Sequence, residues 1–512
     1  MSSTAKATLF LMIATIISKI LGFVRELVLA SSYGASVYSD AYIVSMNIPL
    51  VICSTIGLTI GSIFIPLYIE IISKHGNEHA LKFTSNMINI VGIISMLLVI
   101  LGFIFIEPLV KIFAMGFNGE ALSTTINFSK ILLLTIIFTS LGNIITAYLQ
   151  SHNNFIIPGI MSIPKNIIII VSITLSVKYG PYLMIWGTLL GSVVELLFQI
   201  PASIKKGYKY KLYLYLQDEY IKKAMYLIGP ILIGVAVNQV NVMVDRTLAS
   251  TLTSGSISAL NYANKLNGFV MAMFISSIGT VIYTMLSKQS LQEDKEEFIK
   301  SIVQSINSVI LIVIPISVGA IVLATPIVRL LFERGEFDAR ATSMTAIALI
   351  MYSIGMVAFG LREILGKVFY SIQDTKTPMI NGIIAVVMNI LLNIMLIKKL
   401  NLAGLALATS LSAIICIFLL FNSLKKKIGY YGQDKILKTT IKSIISAIIM
   451  GIATYYVYNI FSLMMRSGLI YDTISLFGSV LFGVIVYGIL TMILKVDEIN
   501  IVIKMIGKKL NI

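Results

Sequence analysis

The sequence predicts an all-α polytopic membrane protein. Hydrophobic residues make up 57% of its 512 positions and charged residues only 12%, a balance outside the range of soluble globular domains. Apolar runs of the ~20 residues that a bilayer crossing requires recur along the whole chain. No Pro-rich or Gly/Ser-rich stretch is long enough to act as a linker between soluble domains.

About fourteen spans are expected, centred near residues 20, 55, 96, 138, 167, 192, 235, 272, 312, 355, 387, 412, 451 and 482. The first, residues 8–31, follows Lys6. It is too long, and too polar on one side, for a cleaved signal peptide, so it is read as a membrane span. Orientation follows from the distribution of Lys and Arg among the short loops. The loops on the side of both termini hold Lys74 and Lys82, Lys205 to Lys223, Lys288 to Lys300, Lys376, Lys425 to Lys442 and Lys495 to Lys509. The opposite loops hold Arg329, Arg334, Arg340, Lys398, Lys399 and Arg466, several offset by Glu333, Glu336 and Asp338. Both termini are therefore expected in the cytoplasm.

The chain also repeats itself at a spacing of about 220 residues. Pro158 and Lys205-Lys206 recur as Pro378 and Lys425-Lys426, each proline preceded by a similar turn, Tyr148-Leu-Gln150 or Tyr370-Ser-Ile-Gln373. Arg25-Glu26 with Leu29-Ala30-Ser31 answers Asp245-Arg246 with Leu248-Ala249-Ser250. These matches imply a six-helix lobe over residues 1–222, a second over 223–438, and two further spans with a tail over 439–512. An even number of spans in each half gives both the same orientation, a parallel repeat about an axis along the membrane normal, as in known transporters.

A net charge of +16 is accounted for by cytoplasmic lysines facing anionic headgroups and implies no nucleic-acid partner. Cys53 and Cys416 lie in apolar spans away from any partner motif, against a disulfide or a cysteine metal site. His75, His79 and His152 fall in predicted loops. Gly360 to Gly366-Lys367 lacks the spacing and the following Ser/Thr of a phosphate-binding loop. A transporter is expected rather than an enzyme.

Charge inside the spans is the strongest functional signal, because a buried ionisable group costs several kcal/mol unless it faces protein or water. Ser18, Gly22 and Arg25 fall within roughly 60° of one another on the first helix, and Lys19 and Glu26 widen the sector to about 120°. Asn238, Asn241 and Asp245 share a face of the seventh span, and Asn261, Asn264 and Lys265 follow at helical spacing in the eighth. Asn389 and Asn393 share a face of the eleventh span, and the twelfth carries Thr409 and Ser410. Lys165 and Glu195 read as a structural intramembrane pair.

The run Ser18-Lys19-x-Leu21-Gly22-Phe23-x-Arg25-Glu26, followed by Gly34, Ser39-Asp40-Ala41-Tyr42 and Ile48-Pro49, resembles the N-terminal signature of the MurJ/MviN lipid II flippases. Further motifs agree in order: Val244-Asp245-Arg246-x-Leu248-Ala249-Ser250, Ser258-Ala259-Leu260-Asn261-Tyr262-Ala263, Phe332-Glu333-Arg334-Gly335-Glu336-Phe337 and Phe369-Tyr370-x-x-Gln373-Asp374-Thr375-Lys376-Thr377-Pro378. The resemblance spans nearly the whole chain and lies within the wider superfamily of multidrug, oligosaccharide-lipid and polysaccharide exporters.

The resemblance implies a flippase in the bacterial cytoplasmic membrane that moves undecaprenyl-diphosphate-linked disaccharide-pentapeptide, lipid II, to the outer leaflet by alternating access. Contacts with membrane lipids and with the cell-wall synthesis machinery follow from that role. By motif position the substrate-binding residues correspond to Ser18, Lys19, Arg25, Glu26, Asp40 and Lys265, with Glu26 and Asp40 pairing with or orienting the cationic groups. Lys19 and Lys265 stand where the family often carries arginine, and apolar Val51, Ile52 and Cys53 occupy a region where it carries a basic residue. A sodium site known in some members maps to Asp245, Asn389, Asn393, the carbonyl of Leu405 and Thr409, oxygen donors of the kind a hard cation prefers. The competing expectations are a related exporter of another lipid-linked oligosaccharide or spore-wall precursor, and a polytopic glycosyltransferase, which would need paired carboxylates or a metal at the membrane face.

Overall fold

The structure is a computed structural model that describes residues 3–291, 295–464, 468–496 and 498, with only the backbone described for residues 3–13, 55, 58, 59, 228–238, 276, 277, 280 and 281. Every regular element among the described residues is a helix. Backbone polar groups in hydrocarbon have to be satisfied within their own segment, and in an apolar chain with no alternating pattern the helix is the element that does so.

Nine helices among the described residues are long and apolar enough to cross a membrane, or ten if the bent pair Ala339–Ile354 and Met356–Ser371 is one span. Fourteen are not counted in this way, for a physical reason visible in Lys376–Ile428. Its 53 residues would run about 80 Å if straight, more than two bilayer cores. The helix instead folds at Asn401, which adopts φ 48° and ψ −128°. Asn389 reaches Thr409 at 3.3 Å and, farther from the fold, Asn381 reaches Ser423 at 3.2 Å, so the two arms run antiparallel. Val37–Ile104 is likewise interrupted at Gly76, with φ 79°, a conformation glycine adopts without steric cost.

The chain forms two compact units. The first comprises Met1–Ser258 with Arg334–Phe337, and the second Ala259–Glu333 with Asp338–Ile512. In the first, Phe64, Phe83, Tyr68 and Tyr148 form an aromatic centre, with Tyr68 edge-on to Tyr148 at 5.5 Å between ring centroids. In the second, Ile302, Ile306, Val309 and Val313 line one face of the helix Lys295–Val322 and pack with Ile364, Leu365 and Val368.

The repeat is written into the backbone of each unit. In the first, His152 N–H donates to Leu149 O, Asn153 N–H to Gln150 O and Asn154 N–H to Leu149 O, at 3.1, 3.0 and 2.9 Å. In the second, Ile372, Gln373 and Asp374 make the same bonds to Phe369, Tyr370 and Phe369, at 3.2, 3.0 and 2.9 Å. Asn153 and Gln373 both adopt positive φ, 56° and 59°. The next helix is then capped in both by the side chain of the equivalent residue, Asn154 to Ile157 N–H and Asp374 to Thr377 N–H.

Candidate functional site

The first helix, Ser3–Tyr33, carries Ser18, Lys19, Arg25 and Glu26. Arg25 pairs with the buried Glu26 at 2.9 Å, and its other guanidinium nitrogen donates to Asn166 Oδ1 at 3.2 Å. Asn166 is fixed in turn by a bond from its amide nitrogen to Ser162 O at 2.9 Å. Arg25 is only 17% exposed, so its charge is held by partners rather than by water, as a membrane-depth arginine requires. Asn166 was not a sequence candidate. The sequence signal for it is an amide one position after Lys165, directly ahead of the apolar run Ile167 to Val171.

Ser18 donates to Gly159 O at 3.2 Å. Lys19, one position on, is exposed and makes no ion pair among the described residues. Lys165 and Glu195 form the expected pair at 2.7 Å. Opposite charges so placed offset each other, in this pair as in Arg25 with Glu26, leaving Lys19 as the exposed cation among the described side chains of the first helix.

Asp40 is buried near the start of Val37–Ile104. Its carboxylate accepts from the backbone N–H of Gly255 and of Ser258, each at 2.7 Å, and from the Ser258 hydroxyl at 2.5 Å. It therefore ties down the start of the helix Ser256–Val270, on which Lys265 lies exposed two turns later. Gly255 is needed there: it has φ 89°, and a Cβ would stand 2.3 Å from the Ala35 carbonyl.

Nearby, two glycines 219 positions apart make matching close approaches. A Cβ on Gly116 would lie 2.3 Å from Ser250 O, and one on Gly335 would lie 2.2 Å from Ser31 O. Gly116 N–H donates to the Ser250 hydroxyl at 2.9 Å, and Glu336 N–H to Ser31 O at 2.9 Å. Ser31 and Ser250 are themselves equivalent in the repeat.

Four of the five sodium candidates are connected within the second unit. Asn393 donates to Asn389 Oδ1 at 2.9 Å, Asn389 to Thr409 at 3.3 Å, and Thr409 to the Leu405 carbonyl at 3.0 Å. Asp245 belongs to the helix Glu219–Ala249 of the first unit. The four connected groups of the second unit offer oxygen atoms of the kind a hard cation prefers, and none of the four carries a formal charge. The side chain of Asn238 lies outside the described residues. Among the described residues no cluster of three or more His, Cys, Asp or Glu is placed to hold a metal.

With this geometry in view, similarity to known proteins is specific. The family model described as "Lipid II flippase MurJ" matches residues 29–472. A protein named "Probable lipid II flippase MurJ" from Buchnera aphidicola is 31% identical over 419 residues, covering 81% of this chain and 82% of its own. "Lipid II flippase MurJ" from Thermosipho africanus is 31% identical over 417 residues, covering 81% and 84%. A solved structure titled "Lipid II flippase MurJ, inward closed conformation" aligns at TM-score 0.80 with 30% identity, covering 95% of this chain and 98% of that one. A MATE-family multidrug transporter in an inward-facing conformation aligns at TM-score 0.67 with 13% identity, over 81% of this chain and 96% of its own, a likeness of fold alone.

Proposed function

The chain belongs to the MurJ lipid II flippase family, and from that premise we propose that it carries lipid II from the inner to the outer leaflet of the bacterial cytoplasmic membrane by alternating access. The observation that carries the reading is Arg25, a guanidinium held inside an apolar helix by Glu26 and Asn166, on the helix that also carries the exposed Lys19. A diphosphate offers several anionic oxygens. Arg binds such a group through two parallel N–H donors and Lys as a point charge, so Arg25 sets orientation while Lys19, on the same helix, adds attraction. Glu26 keeps Arg25 compensated when no anion is bound. Both termini are read as cytoplasmic, and an inside-negative potential then favours outward movement of the anionic cargo, by about 2.3 kcal/mol per charge per 100 mV.

Within the second unit, sodium would be held by the oxygens of Asn389, Asn393, Leu405 and Thr409, all of them neutral. Cell-wall synthesis enzymes that consume lipid II at the outer leaflet are the partners this role implies. Depletion of the protein, with lipid II followed on each leaflet, tests the reading. Accumulation on the inner leaflet is the expected result, and unchanged leaflet distribution with growth arrest would reject it.

A further inference from the structure

Residues 208–217 of the first unit, Tyr-Lys-Tyr-Lys-Leu-Tyr-Leu-Tyr-Leu-Gln, form a strap without helix or strand. A strap of this kind leaves backbone groups in need of partners, which in a membrane setting are costly to leave unmade. Three side chains on one helix supply them. Asn86 accepts from Tyr215 N–H at 3.0 Å and donates to Tyr215 O at 2.8 Å. Asn89 donates to Tyr213 O at 2.9 Å, and Ser85 accepts from Lys211 N–H at 3.2 Å.

The depth of this ladder is legible in the helix that carries it. Up to Asn89 the helix is polar, with Lys82, Ser85 and Asn86; from Ile90 to Ile104 it carries no charged residue and only one hydroxyl, Ser95. The strap thus lies where the headgroup layer gives way to acyl chains. Leu212, Leu214 and Leu216 are exposed to 90%, 52% and 64%, and tyrosine is the residue type enriched at that boundary.

Between strap and helix runs a groove of about 600 Å³ lined by Ile90, Ile93, Ile94, Leu214 and Met225, with Lys222 also on its wall. Its size is that of a small-molecule site, ~300–1,000 Å³. Lys223 is engaged by Glu70 at 2.7 Å, whereas Lys222 and Lys209 are exposed and make no ion pair among the described residues. An apolar trough with an uncompensated lysine beside it, at headgroup depth, has the charge and polarity of one ligand class. We propose that the groove is a binding site for a single anionic diacyl phospholipid of the bilayer, with an acyl chain along Ile93 and Leu214 and the phosphate at Lys222. The proposal is independent of which cargo the protein carries.

The test uses the full chain with its single tryptophan removed and a reporter placed in the groove, W186F/L214W, reconstituted in phosphatidylcholine vesicles. Dibrominated phosphatidylglycerol should reach half-quenching at about a fivefold lower mole fraction than dibrominated phosphatidylcholine, the preference one lysine near a headgroup supplies. Adding K222Q should erase that preference while leaving the quenching by phosphatidylcholine. A second reporter, W186F/I93W, should give the same pattern if L214W fails to fold. Equal quenching by the two lipids, or no quenching from either reporter, would overturn the proposal. So would relief of quenching by undecaprenyl phosphate at a lower mole fraction than by unlabelled phosphatidylglycerol, which would assign the groove to the cargo.

Discussion

The hydroxyl of Ser258 donates to the hydroxyl of Ser39 at 2.8 Å, and the two residues stand 219 positions apart, the period of the internal repeat. Equivalent positions of the two halves therefore touch each other directly. Asp40, adjacent to Ser39, adds three accepted hydrogen bonds at the same place, so this contact is the most densely bonded part of the candidate site.

Asp40→Ala should remove those three bonds and leave two backbone N–H donors buried. Hydrogen bonds to a charged group are each worth ~1.5–3 kcal/mol, so a loss of several degrees in the thermal unfolding midpoint of the detergent-solubilised protein is expected. Asp40→Asn keeps the shape and one acceptor and should fall between the two. A midpoint for Asp40→Ala equal to the parent's would contradict the assignment.

Arg25→Ala should abolish support of growth at normal membrane abundance, because it leaves Glu26 as a buried charge without its cation. Arg25→Lys retains charge but cannot reach Glu26 and Asn166 as a fork, and partial complementation is expected. Asn166→Ala should weaken complementation less than Arg25→Ala. Complementation by all three would show that the guanidinium is dispensable.

The glycine contacts predict a graded series. Gly335→Ala meets a carbonyl at 2.2 Å and also demands φ 60° of an alanine, whereas Gly119→Ala meets only the second problem, at φ 54°, with nothing within 4 Å. The left-handed conformation alone costs an alanine about 1–2 kcal/mol. Gly119→Ala should therefore be mildly destabilised and well expressed, and Gly335→Ala and Gly116→Ala poorly expressed. Comparable unfolding midpoints across the three would remove the close approach as the cause.

Asp374 gives the acid response a definite origin. Burial opposes its ionisation, but hydrogen bonds from Lys427 and Thr377 outweigh that and hold its carboxyl down at about 2. A carboxyl depressed in the folded state stabilises above its unfolded value, near 3.8, and loses that contribution as pH falls toward 2. Lys427→Met should lower stability at pH 6 and flatten the pH dependence between 4 and 2. An unchanged slope in thermal unfolding would count against this pair.

Local charge and period were legible in the sequence: the stripe of Ser18, Lys19, Arg25 and Glu26, the Lys165–Glu195 pair and the spacing of the repeat all follow from helical geometry and from residues that hydrocarbon penalises. The partners of Asp40 were not, because Gly255 and Ser258 lie more than two hundred positions away and neutral backbone donors leave no mark in composition. Asn166 leaves little mark either, a single neutral amide next to the charge of Lys165. The break at Asn401 falls where spans centred near 387 and 412 require a connection, beside Lys398 and Lys399; what left no mark is its residue, since asparagine takes positive φ with no glycine or proline to announce it.

The matched turns at residues 149–154 and 369–374 began as copies, yet they are no longer electrically alike. One is capped by neutral Asn154, the other by Asp374 under the charge of Lys427. Protonating the Asp374 carboxylate or screening Lys427 weakens the second cap, and the neutral Asn154 amide offers neither handle. The two turns thus share a backbone geometry while their caps differ in charge: an amide in the first unit, and a carboxylate paired with Lys427 in the second.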